Sequence, residues 1–147
     1  MLSVVTFAVD YLKVKHGPFT PVFQIGGGGA DQTRSPVIVV GHSNCGGAAA
    51  CVEAACNPPP ADLLDTPLYR WLTPLANLAR SLGVDKMEPS EALSLVVKEN
   101  VRQQVKNISE METIKKAWAQ NRSVQIHGWV YDLPTGKLSD LGMMEPR

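Results

Sequence analysis

The segment VIVVGHSNCGGAAA, residues 37–50, restricts the possible fold more than any other part of the chain. Residues 37–40 are all β-branched, which is typical of a strand buried on both faces of a parallel sheet. The alanine-rich residues 48–55 favour a helix, and Asn57 followed by prolines at 58–60 ends it. Because open α/β sheets hold their ligands where a strand passes through a glycine-bearing turn into a helix, we expect a site at residues 41–47.

Further helices and strands follow this unit. Apolar residues at helical spacing predict helices over residues 66–82, 90–110 and 111–120, the first with Pro74 as a kink or break and the second opened by Ser90. An amphipathic helix is also predicted over residues 4–15. A strand over residues 124–131, a turn over 134–136 and a short strand through Leu138 complete the pattern. The expected fold is a single α/β domain over residues 1–147, with a small, mainly parallel sheet flanked by helices.

Composition excludes several classes of function. Fourteen basic residues balance fourteen acidic ones, so the chain has no basic field for nucleic acid. Its apolar runs are far shorter than the roughly 18 residues of a membrane span, and no basic-then-apolar leader opens the sequence. Three cysteines are an odd number for a disulfide framework and favour reduced thiols. We therefore expect a cytoplasmic protein that binds neither membrane nor nucleic acid.

His42 and Cys45 carry the chemistry expected at the turn. Imidazole and thiolate are ligands that zinc prefers, and a spacing of three positions can place both on one ion, with Gly46 and Gly47 allowing close backbone approach. Two alternatives stay open on these residues: a histidine that merely lies near a buried cysteine, and a nucleotide-binding module on the strand, turn and helix.

Residues 17–36 contain five glycines and three prolines, which predict a loop. The Lys-Ser/Thr pair that completes a phosphate-binding P-loop does not follow the glycine run. A solvated loop is therefore the expected structure.

When residue 16 is joined directly to residue 37, the chain reads LSVVTFAVDYLKVKH and then VIVVGHSNCGGAAA, which resembles the centre of fungal and bacterial β-class carbonic anhydrases. The segments PLYRWLTPLANLA, ENVRQQVKN and HGWVYDLPTGKLSDL follow in the order of that family. The resemblance implies that residues 17–36 are an insertion, for which we consider a translated intervening sequence and an evolved regulatory loop. It also implies that the chain is shortened at its N-terminal side and lacks the family's first strand and preceding helices.

The resemblance implies a function as well. The family hydrates carbon dioxide reversibly to bicarbonate at a zinc ion, so one zinc per chain is expected, with His42 and Cys45 as ligands. Gly41, Ser43, Asn44, Gly46 and Gly47 are expected to shape the turn around it. The protein is expected to form a homodimer or another homo-oligomer.

One departure from the family leaves two functions open. The family's CxDxR motif, which supplies another zinc-binding cysteine and an Asp-Arg pair, occurs nowhere in the 147 residues. The catalytic residues are therefore unknown. The alternative to a carbonic anhydrase is a truncated, non-catalytic pseudoenzyme that associates with full-length subunits.

The remaining histidines, cysteines and tryptophans are predicted to be structural. Cys51 and Cys56 lie on the predicted helix, which carries them away from its N-terminus. His127 lies in a predicted strand, and His16 ends the first predicted helix. The three tryptophans are expected to serve as core or interface anchors: Trp71, Trp118 and Trp129.

Overall fold

The computed structural model describes residues 35–145 of the chain. Within this range the elements follow in the order β1 (Ser35–His42), α1 (Gly46–Cys56), α2 (Ala61–Leu64), α3 (Pro67–Ser81), a 3-10 turn (Val84–Lys86), α4 (Pro89–Ser109), α5 (Glu112–Ala119), β2 (Val124–Asp132) and β3 (Lys137–Met144). The predictions for residues 4–15, for His16 and for the loop up to residue 34 lie outside the described residues. The α/β fold with a small sheet and flanking helices is confirmed.

The sheet has the strand order β1-β2-β3. β1 and β2 are parallel and in register from Ser35 opposite Val124 to His42 opposite Tyr131, while β2 and β3 form an antiparallel hairpin. The helices between β1 and β2 supply the long crossover that a parallel pair requires. As a result, the end of β1 lies beside the end of β2, where the hairpin turn begins.

The core lies between the sheet and the helices. The buried positions of α4 fall at helical spacing and form a single face: Ala92, Val96, Val97, Val101 and Val105. This face packs onto β1 and β2 at two glycines. A Cβ atom at Gly41 would lie 2.6 Å from Val101 Cγ2, and a Cβ atom at Gly128 would lie 3.0 Å from Val101 Cγ1. Glycine at both positions lets α4 approach the strands closely.

The prediction that residues 37–40 are buried on both faces is wrong. Val37 and Val39 pack against the buried clusters, but Val40 is 54% exposed. Side chains alternate between the faces of a strand, and within residues 35–145 the core clusters lie on the face that holds Val37 and Val39. The β-branched run therefore reflects strand propensity more than burial on two sides.

Several element boundaries differ from the prediction. β1 begins at Ser35 rather than after Pro36, because a proline near the start of a strand costs little where, among residues 35–145, the strand pairs on one side only. α3 continues unbroken through Pro74. α4 begins at Pro89, a residue suited to the first helical position, so Ser90 is not its cap. β3 is longer than predicted, and the short helix α2 was not predicted at all.

The tryptophans occupy different environments. Trp71 is 75% exposed and so is not a core residue; its role as an interface anchor stays a prediction. Trp118 is half-buried and donates a hydrogen bond from Nε1 to the Val124 carbonyl, at 2.8 Å. Trp129 lies beside His127, with ring centroids 6.0 Å apart. Within the described range, no helix combines the length and apolar character that crossing a membrane requires.

Candidate metal centre

The turn between β1 and α1 brings His42 and Cys45 to one edge of the sheet. His42 is the last residue of β1, and Cys45 is the N-cap residue of α1. Between them Asn44 has φ of +57°, a left-handed conformation that asparagine adopts more readily than most residues. The chain therefore leaves the strand and enters the helix within three residues.

The His42 ring is oriented by the backbone of the next residue. Its Nδ1 lies 2.9 Å from the Ser43 carbonyl oxygen. Because a carbonyl oxygen can only accept, Nδ1 is the donor, and in the neutral ring the lone pair is then on Nε2. A histidine that binds a metal usually donates its other ring N–H to a carbonyl or carboxylate in this way. The tautomer of His42 thus suits coordination through Nε2.

The Cys45 side chain is available as a second ligand. It makes no capping hydrogen bond to the backbone of α1. The residue is half-buried and packs beside the cluster that contains Ala48 and Val97. The first helical bond comes from its carbonyl, which accepts from Ala49 N at 2.9 Å. Cys45 is therefore held by its backbone and by packing.

The glycines around the turn have different roles. Gly41 is needed where α4 crosses β1, as shown above. Gly46 and Gly47 are the first two residues of α1, and the expectation that they shape the turn stays a prediction. A Cβ atom at Gly46 would meet nothing within 4 Å, and one at Gly47 would make contacts of only 4.0 Å. In the turn itself, Asn44 supplies the left-handed residue and Ser43 supplies hydrogen bonds to the β2–β3 hairpin.

Ser43 fastens the turn to the β2–β3 hairpin. Its backbone N donates to the Tyr131 carbonyl at 2.9 Å, and its Oγ accepts from Leu133 N at 2.9 Å. Hydrogen bonding from the hydroxyls of Thr135 and then of Ser43 lowers the pKa of Asp132. Asp132 and Thr135 were not predicted as part of the site. Their spacing, Asp-x-x-Thr-Gly, is typical of a tight polar turn and was the signal that could have pointed to them.

The other two cysteines do not join His42 and Cys45 at the turn. Cys51 is buried in α1, and its thiol donates to the Leu72 carbonyl at 3.7 Å. Burial, followed by the nearby Cys45, raises the pKa of the Cys51 thiol. Cys56 is exposed at the far end of the helix, and all three thiols are free. The structural role predicted for Cys51 agrees with this arrangement.

The donors at the turn suit zinc in type but are few in number. One imidazole nitrogen and one thiol are ligands of the kind that zinc prefers. Within residues 35–145, no group of three or more His, Cys, Asp or Glu side chains is placed to hold a metal ion. His42 and Cys45 could thus supply two of the ligands that a zinc ion needs.

Comparison with known proteins adds an independent finding. A family model described as carbonic anhydrase matches residues 31–138. A carbonic anhydrase of Emericella nidulans is 28% identical over 148 residues, covering 99% of this chain and 53% of the relative. A carbonic anhydrase of Pseudomonas aeruginosa is 34% identical over 107 residues, covering 71% of this chain and 46% of the relative. The chain thus spans about half the length of these curated relatives.

Solved structures show the same similarity in three dimensions. The β-carbonic anhydrase of Coccomyxa, in complex with acetazolamide, superposes with a TM-score of 0.71 at 21% identity, over 97% of this chain and 54% of that one. One of two tetrameric β-carbonic anhydrases of the ascomycete Sordaria macrospora superposes with a TM-score of 0.67 at 25% identity, over 96% of this chain and 59% of that one.

Proposed function

Because the chain belongs to the β-class carbonic anhydrase family, we propose that it binds one zinc ion through His42 and Cys45 and takes part in the reversible hydration of carbon dioxide to bicarbonate. One observation carries the proposal: the two side chains lie on a single turn, with Nδ1 of His42 already occupied by a carbonyl and no capping bond on Cys45. Both would bind the ion through atoms that are free to do so.

The proposal gives each residue of the turn a different role. His42 Nε2 and the Cys45 sulfur hold the ion, and the Ser43 carbonyl keeps the imidazole in the required tautomer. When bound, zinc supplies the Lewis acidity that makes water nucleophilic near neutral pH. Structural zinc sites in proteins usually have four protein ligands and catalytic ones three. We therefore expect weak zinc binding by this chain alone, with the catalytic residues still to be assigned.

A non-catalytic function is the second candidate. Among residues 35–145, β1 pairs with β2 on one side only, and an unpaired strand edge is a ready site for pairing with another chain. One of the similar structures is described as tetrameric. In this alternative the protein associates with longer carbonic anhydrase subunits and does not turn over substrate. In either case we propose a cytoplasmic protein that forms homodimers or mixed oligomers.

Metal analysis and a carbon dioxide hydration assay on the purified 147-residue chain test the proposal. We expect bound zinc that Cys45→Ser removes, because serine is a poor zinc ligand at neutral pH. Cys56→Ser is the matched control, since Cys56 is exposed at the other end of α1. An apo, inactive protein that co-elutes with a full-length homologue on size exclusion would contradict the enzymatic function and favour the second candidate.

A further inference from the structure

Ser43 lies between the two candidate ligands and forms hydrogen bonds through its backbone N, its hydroxyl and its carbonyl. Its backbone N bonds to Tyr131 O at the end of β2, and its hydroxyl accepts from Leu133 N just beyond the strand. Its own carbonyl accepts from the His42 ring at 2.9 Å. One residue thus holds the imidazole and attaches the turn to an element that is ninety positions away in the sequence.

The attachment point is itself well held. Ser43 Oγ uses a lone pair to accept from Leu133 N, so its hydrogen is free to bond to the Asp132 carboxylate. The same carboxylate accepts a hydrogen bond from Thr135 Oγ1, and the Asp132 carbonyl accepts from Gly136 N at 2.8 Å. Two groups of the hairpin, the Asp132 carboxylate and the Leu133 amide, therefore face the Ser43 hydroxyl.

We propose that Ser43 is a positioning residue of the metal centre: its hydroxyl, held by Leu133 N, keeps the turn that carries His42 and Cys45 in its binding conformation before any ion arrives. The zinc part of this inference rests on the proposed function, whereas the positioning of the turn does not. The physical reason is that His42 and Cys45 are joined by only two residues, so a shift of Ser43 moves both ligands. Pre-organised ligands bind a metal without first losing conformational freedom.

The principal variant is Ser43→Ala in the full chain, with Ser43→Thr as the conservative rescue. Zinc affinity is measured by competition with a chromophoric chelator. In parallel, iodoacetamide labelling of the metal-free protein is followed by peptide mass spectrometry. Ser43→Ala is expected to weaken zinc binding about tenfold, the low end of losses seen when a group supporting a metal ligand is removed. Labelling of Cys45 should be about threefold faster or more, because the turn opens more often.

The controls separate positioning from general stability. Ser43→Thr, which keeps the hydroxyl, should restore both zinc affinity and labelling rate. Cys56, exposed at the end of α1, should label at an unchanged rate within the same molecules. Asp132→Ala should reproduce the effect of Ser43→Ala, and it replaces that variant in the test if Ser43→Ala does not fold. Asp140→Ala removes a different carboxylate of the same hairpin, which accepts from Gly142 N. This variant should leave both zinc affinity and the labelling rate of Cys45 unchanged.

Each outcome decides one of the two proposals. Wild-type labelling and wild-type zinc affinity in Ser43→Ala would overturn the positioning role, as would a Ser43→Thr variant that is no better than alanine. If the wild-type chain binds no zinc, the proposed function fails, and the Cys45 labelling rates alone decide whether Ser43 positions the turn.

Discussion

Gly41 offers the sharpest test of how the site is built into the fold. The residue lies one position before His42, and α4 crosses the strand directly above it. Replacing it with alanine adds a Cβ atom 2.6 Å from Val101 Cγ2 and 3.3 Å from Val97 Cγ1. Carbon atoms prefer a separation of about 3.5–4.0 Å, so the first contact is too short by about 1 Å.

Val101 cannot give way easily. Valine is stiff about χ1, the side chain is only 2% exposed, and its other methyl group already faces Gly128, where a Cβ atom would be 3.0 Å away. Such overpacking costs about 3 kcal/mol, and alanine recovers about 0.5–1 kcal/mol of backbone entropy relative to glycine in a strand. We therefore expect Gly41→Ala to lower the free energy of unfolding by about 2 kcal/mol.

Urea denaturation of the metal-free chain measures this loss. With an m value of about 2 kcal/mol/M, the midpoint should fall by about 1 M. Gly46→Ala is the matched control: a Cβ atom there meets nothing within 4 Å, so we expect unchanged stability or a gain of up to about 1 kcal/mol.

A double variant identifies the contact responsible. Val101→Ala alone should cost about 2–3 kcal/mol through lost burial and a cavity. In the double variant the overlapping methyl group is gone, so the cost of about 3 kcal/mol for overpacking is relieved. The sum of the two single-variant losses should therefore exceed the loss measured for the double variant by about 3 kcal/mol. Wild-type stability of Gly41→Ala, or strict additivity in the double variant, would refute the reasoning.

Two further predictions concern the helices that surround the site. The pKa of the buried Cys51 thiol is raised, so the folded state binds the thiol proton more tightly than the unfolded state does. The contribution of this thiol to stability is therefore complete below its ordinary pKa and is lost as pH rises through the raised pKa. The difference in urea midpoint between wild type and Cys51→Ala should therefore narrow above about pH 9, and a constant difference would contradict the assignment. Trp118→Phe keeps most of the apolar ring but loses the hydrogen bond to Val124 O, so thermal unfolding should show a loss of about 1 kcal/mol. A variant as stable as the wild type would show that this bond contributes nothing.

The elements near the site were predictable because their signals are local. The β-branched run of β1, the glycine before His42 and the alanines of α1 lie within about a dozen consecutive positions. Spacing in the sequence therefore limits spacing in the turn, and a histidine three positions before a cysteine must lie near it. The same holds for α4, whose apolar periodicity directly predicts its buried face.

The burial of Val40 and the roles of the glycines were harder to predict. A β-branched run has the same composition whether one or both faces of the strand are covered, so the 54% exposure of Val40 has no sequence signal. In the sequence, Gly41 and Gly46 are both glycines with the same backbone freedom, and nothing distinguishes their roles. Only the position of α4 over the strand makes the first indispensable to packing and leaves the second in open space.

Local patterns in the sequence were enough to predict an α/β fold with a small sheet and to select His42 and Cys45 as a possible zinc-binding pair, and the resemblance of several segments, in order, pointed to the carbonic anhydrase family. The support around those ligands could not be read in the same way. Ser43 meets Leu133 and Asp132 only because β1 and β2 pair in parallel, in a register that brings His42 opposite Tyr131. Hydrogen bonds between groups ninety positions apart depend on the packing of the whole crossover, which no local pattern encodes.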